Sequence, residues 1–295
     1  MTSQTDAQLA FSQRLGELRP KLHRYCARMT GSVIDGEDVV QDALLKALEA
    51  FAGAGPIDNL EGWLFRIAHN AALDSLRRRA RRDATASAED PDMIVDSAAP
   101  IETRQTVATS LRTFMRLPVA QRSSVILMDV LGYSLEEVGA ILDSSIPAVK
   151  ASLHRARSHL KDLALEPDDQ PLPVLAQAER ARLAAYADRF NAHDFDAVRD
   201  MLADDVRLEL VARTRLIGRR EVANYFTNYS KVSDWHLDPG LVDGRPALLV
   251  RDPDGPPQAL PYFILLEWTD GAVVNIRDFR HARYALEGGE FSLPA

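Results

Sequence analysis

Residues Trp63 to Arg82, WLFRIAHNAALDSLRRRARR, constrain this chain most, because their pattern predicts one helix with two unlike sides and a basic end. Leu64, Ile67, Ala68, Ala71 and Leu76 recur at helical spacing as a core-facing stripe, while Arg66, Asn70, Asp74, Arg77 and Arg81 step down the opposite side. Five arginines occupy the last six positions. Arginines complement the dipole at a helix C-terminus, so a solvated helix end is the bland reading; a surface that grips nucleic acid is the functional one.

A chain of 295 residues, 46% hydrophobic and 26% charged, has room for two or three domains with real cores. Its one cysteine, Cys26, allows neither an intrachain disulfide nor a cysteine-based zinc site, and its seven histidines show no paired metal spacing. No metal and no cofactor are therefore expected. No apolar run approaches the ~18 residues of a membrane span, and the opening MTSQTDAQLA lacks the charged and apolar regions of a signal peptide. A reducing, cytoplasmic setting with no membrane partner is the expectation.

The net charge of −8 argues against nucleic acid only until it is divided along the chain. Residues 1–82 carry 12 basic and 10 acidic side chains, and residues 105–166 carry 7 and 6; the acid lies in 83–104, with 1 and 6, and in 167–295, with 15 and 21. Two weakly basic modules thus alternate with acidic segments, and overall charge says little about local basic faces. Texture divides the chain in the same places. DATASAEDPDMIVDSAAP, from Asp83, lacks periodicity, and EPDDQPLP, from Glu166 to Pro173, stops a helix. The expected organisation is two all-α modules at 1–82 and 105–165, linkers at 83–104 and 166–173, and an α+β module at 174–295.

Within the second module, Ser134 and Glu137 of YSLEEVGAIL form a capping-box pattern ahead of Leu135, Val138, Ile141 and Leu142. Asp143, Ser144 and Ser145 supply turn and cap chemistry, Pro147 suits a first helical turn, and Val149, Leu153, Ala156 and Leu160 mark a second core stripe. This is a helix-turn-helix pattern. Lys150, Ala151, His154, Arg155, Arg157 and Lys161 lie on the outer side of the second helix, where a major groove would meet them. A plain helical hairpin with a solvated basic face is the alternative.

DGEDVVQDALLKAL (Asp35 to Leu48) with EGWLFRIAHNAALDSLRRRARR (Glu61 to Arg82) resembles region 2 of the extracytoplasmic-function group of bacterial sigma-70-type initiation factors. LPVAQRSSVILMDVLGYSLEEVGAILDSSIPAVKASLHRARSHL (Leu117 to Leu160) resembles their region 4. The resemblance implies that Glu37, Asp38, Gln41 and Asp42 dock on the clamp helices of the large subunit of core RNA polymerase. It implies that Asn59, Leu60 and Glu61 border a pocket for a flipped base of the promoter −10 element, that Asn70, Arg77 and Arg78 contact the same DNA, and that Trp63 packs the domain. Lys150, Ala151, His154 and Arg155 match the residues that read the −35 element, with Lys161 on phosphate. Pro147-Ala148 stands where the family usually has a Gly-Thr-like pair, which removes a hydroxyl from that edge. Through the family, the first linker becomes a segment threaded into the polymerase's active-site cleft and RNA exit path, with a passive tether as the alternative.

The third segment opens with LAQAERARLAAYADRFNAHDFDAVRDMLADDVRLELV, which resembles SnoaL-like domains of the NTF2-like superfamily, cone-shaped α+β folds around a cavity. Some sigma factors of this group carry such a domain as a C-terminal modulator; the glycine-rich joining motif of that subgroup is replaced here by EPDDQPLP. Because related cones house isomerases and cyclases, Trp235, Tyr262, Trp268, Asp278 and His281 are the candidates for lining a small-ligand pocket. Core packing or a solvated surface is the commoner fate of such residues. The chain is thus expected to be a non-enzymatic sigma factor with a built-in regulatory domain. The reading from another class is a DNA-binding regulator fused to a small-molecule-binding or catalytic NTF2-like domain.

Overall fold

The computed structural model describes residues 2–51, 53, 55, 57–86, 111–165, 174–233, 235–256 and 262–292. The chain folds into two compact units, Met1–Gln170 and Pro171–Ala295. The first is helical throughout: α1 (Thr2–Thr30), α2 (Val33–Phe51), α3 (Leu60–Ala86), α4 (Leu111–Met115), α5 (Val119–Val125), a π-helical stretch (Ile126–Val130), α6 (Leu135–Leu142) and α7 (Ile146–Leu163).

Helix α3 forms as its period predicts. Leu64, Ala68 and Ala71 are buried, Ile67 and Leu76 pack against the same core, and Arg66, Asn70, Asp74, Arg77 and Arg81 stay exposed. It runs to Ala86, four residues past the expected boundary, while 87–110 and 166–173 lie outside the described residues. Helices α1 and α2 touch at Gly36, where a Cβ would come within 2.6 Å of the Ala27 backbone; only glycine permits this approach.

The helix-turn-helix closes through the local chemistry read in the sequence. Ser134 Oγ accepts from the Glu137 backbone N–H at 3.3 Å, and Glu137 Oε2 accepts from the Ser134 N–H at 2.8 Å, completing the capping box of α6. Asp143 ends α6 in the left-handed conformation (φ 50°), and Ser145 caps α7. The two expected helical modules share one core. A single apolar cluster joins Tyr25, Phe65 and Ala68 to Phe114, Tyr133 and Ile141.

The second unit is α+β, as expected. It contains α8 (Gln177–Asn191), α9 (Phe195–Asp200), β1 (Leu202–Leu210), β2 (Thr214–Ile217), α10 (Arg219–Tyr229), β3 (His236–Val242), β4 (Arg245–Arg251), β5 (Tyr262–Thr269), β6 (Ala272–Asp278), a 3₁₀ turn (Arg283–Leu286) and β7 (Phe291–Ser292). One sheet runs in the order β2-β1-β6-β5-β4-β3-β7, with β1 and β6 parallel and the other pairs antiparallel. The β3–β4 and β5–β6 hairpins turn on Asp243-Gly244 and Asp270-Gly271, all four with positive φ, as tight two-residue turns require. Phe190, Phe195, Phe226 and Trp235 form an aromatic core among α8, α9, α10 and the start of β3.

Candidate nucleic-acid interface

Helix α2 offers one exposed acidic and apolar face. Asp38 is exposed, Gln41 and Asp42 are half-buried, and Leu45 and Leu48, 51% and 42% exposed, continue that face at helical spacing. Glu37 corrects the expectation. It is 1% exposed and turned inward, where its Oε1 accepts from Arg19 Nε at 3.1 Å and from a second Arg19 N–H. Its neighbours on the helix face are Val33, Val40 and Leu44, so it belongs to the core stripe rather than to the exposed face.

The three residues before and at the start of α3 are each engaged differently. Asn59 is exposed but spends its Oδ1 on capping α3, accepting from the Gly62 N–H at 2.9 Å. Leu60 packs against the core. Glu61 Oε1 accepts from Lys21 Nζ at 2.5 Å and from the Tyr133 hydroxyl. Burial would raise the Glu61 pKa, but these two hydrogen bonds outweigh it and hold the carboxyl below its ordinary range. Further along α3, Asn70 is exposed, Arg77 lies 3.5 Å from Asp74, and Arg78 lies 3.3 Å from Asp42 of α2. Trp63 packs on Phe11 with ring centroids 6.4 Å apart, in the structural role expected of it.

Helix α7 is seated by buried Val149, Leu153 and Ala156, which leaves Lys150, His154, Arg155 and Lys161 exposed and Ala151 half-buried on the outer side. Arg157 is committed elsewhere: its Nε and a terminal nitrogen meet both Asp129 oxygens, at 2.9 and 2.6 Å, tying α7 to the π-helical stretch. The tie leaves Lys150 and Arg155 as the cations nearest the start of the helix. That is the end that meets base edges in helix-turn-helix docking.

In the second unit the structure divides the five candidate pocket residues. Asp278 is fully buried; its Oδ2 accepts from Tyr229 Oη at 2.7 Å and Tyr225 Oη at 3.0 Å, and its Oδ1 from the Arg280 N–H at 2.7 Å. Burial pushes its pKa up, and the Tyr229, Arg280 and Tyr225 bonds pull against that rise. Tyr262 joins this network through Tyr229 Oη at 3.1 Å, and its own pKa is pushed up to about 12, by burial first and then by Asp278. Trp235 is buried against Tyr229, ring centroids 5.7 Å apart, and donates to the Val232 carbonyl at 3.0 Å. Trp268 and His281 depart from the expectation. Trp268 lies at the other end of β5, about 20 Å from Tyr262 at strand spacing, and His281 is exposed with its Nε2 accepting from Arg213 at 2.9 Å.

Four engaged groups carried no local sequence signal. Arg122, 5% exposed, donates to the carbonyls of Met29 at 2.7 Å and of Met115 and Leu117 at 2.9 Å each. Tyr133 and Lys21 close on Glu61, with the Lys21 ammonium 4.2 Å from the Tyr133 ring centroid. His69 Nδ1 meets Tyr25 Oη at 2.7 Å, and burial pushes its pKa down to about 4.

A capped helix-turn-helix with exposed cations, sharing a core with an arginine-ended helix, defines the first unit as a helix-turn-helix class of fold. Family models narrow the class: sigma-70 region 2 matches residues 15–82, sigma-70 region 4 matches 111–160, and the SnoaL-like domain matches 183–276. The ECF RNA polymerase sigma factor SigM of Mycobacterium tuberculosis is 37% identical over 155 residues, covering 52% of this chain and 76% of that protein. SigG of the same species is 31% identical over 225 residues, covering 68% of this chain, and the chain spans 61% of SigG's length. The crystal structure of M. tuberculosis SigJ aligns over 90% of this chain and 95% of that one, at 20% identity and a TM-score of 0.36. The chain belongs to the extracytoplasmic-function family of sigma-70-type RNA polymerase sigma factors and carries a SnoaL-like domain at its C-terminal end. Among the described residues, no helix is long and apolar enough to cross a membrane.

Proposed function

We propose that this chain binds bacterial core RNA polymerase and directs it to specific promoters from the cytoplasm, with its SnoaL-like domain modulating that activity and catalysing nothing itself. The polymerase clamp helices meet the α2 face of Asp38, Gln41, Asp42, Leu45 and Leu48. The segment Asn59–Glu61 and α3 residues Asn70, Arg77 and Arg78 take the −10 element. Lys150, Ala151, His154 and Arg155 read the −35 element, and Lys161 binds phosphate. The observation that carries the reading is the outer face of α7: a capped, core-anchored helix whose cations are spaced for one groove. For the second unit, support comes from Asp278, which is sealed from solvent and already accepts three hydrogen bonds.

Reconstitution tests this. The purified chain added to bacterial core polymerase should yield discrete transcription starts, and mapping them should reveal a common −10 and −35 sequence. A chain that neither binds core polymerase nor selects any start site overturns the proposal.

A further inference from the structure

We propose that a cleft lined by α3, α5, α6 and α7 of the first unit binds a small, mostly apolar molecule bearing a hydroxyl or carbonyl group, and that this molecule acts as an effector. The cleft has a volume of about 440 Å³, within the ~300–1,000 Å³ of small-molecule sites. Leu73 and Leu76 of α3, Val119 of α5 and Leu142 of α6 supply its apolar lining. Protein covers these four only in part: Val119 is 37% exposed and the three leucines are half-buried, whereas Leu64, Val125 and Val149 of the same bundle are sealed in the core. A bound apolar body completes that burial.

Two polar groups of the lining set the rest of the ligand's chemistry. Ser152 of α7 is 9% exposed and borders the cleft, yet its hydroxyl makes no hydrogen bond among the described residues. A hydroxyl that has lost most of its water without gaining a protein partner is repaid by a ligand oxygen. Ser123 and Ser124 of α5 are already engaged, because both donate back to the Ala120 carbonyl, at 3.3 and 2.7 Å. His69 of α3 adds a second group: its Nδ1 meets Tyr25 Oη at 2.7 Å, which leaves Nε2 on the opposite edge of the ring. Burial pushes the His69 pKa down to about 4, so this imidazole is neutral near pH 7. A neutral ring and a hydroxyl suit an uncharged oxygen-bearing group. Exposed Arg77 also borders the cleft, with Asp74 3.5 Å away. The effector role rests on the function proposed above, in which Arg77 contacts the −10 element: a molecule seated beside it crowds a DNA contact.

The probe is 2-naphthol, an apolar two-ring molecule with a single hydroxyl, titrated into the full chain by calorimetry. One molecule should bind per chain with a Kd of about 1 mM or below, which ligands of this size reach in an apolar site. At about ten times that Kd the thermal midpoint of the helical unit should rise by about 3–6 °C. Ser152→Ala should weaken binding about threefold to tenfold. Ala120→Trp, which adds a large side chain at an exposed position of the lining, should abolish binding while the variant still folds. A parent chain that does not bind the probe overturns the site, and binding that survives Ala120→Trp places the probe elsewhere and overturns it equally. Equal affinity in Ser152→Ala overturns the part given to the hydroxyl. In reconstituted transcription from a mapped promoter, saturating 2-naphthol should lower initiation by the parent about fivefold or more and have no effect on Ala120→Trp. Unchanged yield with the probe bound overturns the effector role. A chain that starts no transcription in any condition overturns the sigma reading and the effector role with it, and the calorimetry decides the binding site by itself.

Discussion

Glu37→Ala separates a buried structural role from a polymerase contact, because the two roles predict different failures. The carboxylate is 1% exposed, and its Arg19 partner's side chain is 14% exposed, so truncation removes the carboxylate to which a largely desolvated guanidinium donates. Breaking one side of such a pair costs about 3–5 kcal/mol. At about 0.05–0.15 kcal/mol per residue, the helical unit has about 8–25 kcal/mol in reserve, so the variant should still fold. Its thermal midpoint should fall by about 6–20 °C, taking about 2–4 °C per kcal/mol for a unit of this size. Hydrogen exchange of α1 and α2 amides in the full chain reads the loss where it occurs. Arg19→Met combined with Glu37→Leu should recover most of it, since an apolar pair of similar volume removes both buried charges. The reasoning is refuted if Glu37→Ala leaves exchange protection within about 0.5 kcal/mol of the parent, a surface-like effect, while weakening polymerase binding.

His69 gives the helical unit a pH dependence. Its folded pKa of about 4 lies below the ordinary 6.5, so the stability it confers is complete above pH 6.5 and falls as pH drops towards 4, by at most about 3 kcal/mol. Denaturation at pH 7.5, 6 and 5 should show that slope flattened in His69→Gln, and an equal slope would remove His69 as its source. Arg155→Ala should lose about 1–3 kcal/mol of discrimination at one −35 base pair, measured by promoter competition; an even loss over all sequences would make Arg155 a phosphate contact. Tyr229→Phe deletes a 2.7 Å bond to buried Asp278 and should destabilise the second unit by about 1–3 kcal/mol in urea unfolding, a loss that an accessible Asp278 would not show. Removing residues 171–295 should change transcript yield at equal protein level, and identical yield would refute the modulating role.

What the amino-acid order makes legible here is local. Ser134, Glu137 and Ser145 act within three residues of their partners, and the apolar stripe of α3 needs only its own period, so both helices are readable from short windows. The inward turn of Glu37 was also within reach, because it falls in register with Val33, Val40 and Leu44 rather than with Asp38 and Leu45. By contrast, Tyr133 meets Glu61 across 72 positions and Arg122 meets Met29 across 93, separations at which no periodicity or cap speaks. In the second unit, strand alternation puts Tyr262 and Trp268 on one face of β5, and their six-residue offset, about 20 Å at strand spacing, sets them at opposite ends of it.

The charge distribution bears on how such a chain would grip DNA. Binding to DNA draws its strength mainly from cations that displace counterions from phosphate, with a salt dependence of about −0.9 for each phosphate neutralised. In this chain the cations proposed for that role are Lys150, Arg155 and Lys161 on α7 and the arginines that end α3, of which Arg77, Arg78 and Arg79 face Asp74, Asp42 and Asp83. With a net charge of −8 over the whole chain, the proposed DNA contacts rest on local cations rather than on long-range attraction. The α2 face proposed to meet polymerase carries exposed Asp38, Leu45 and Leu48.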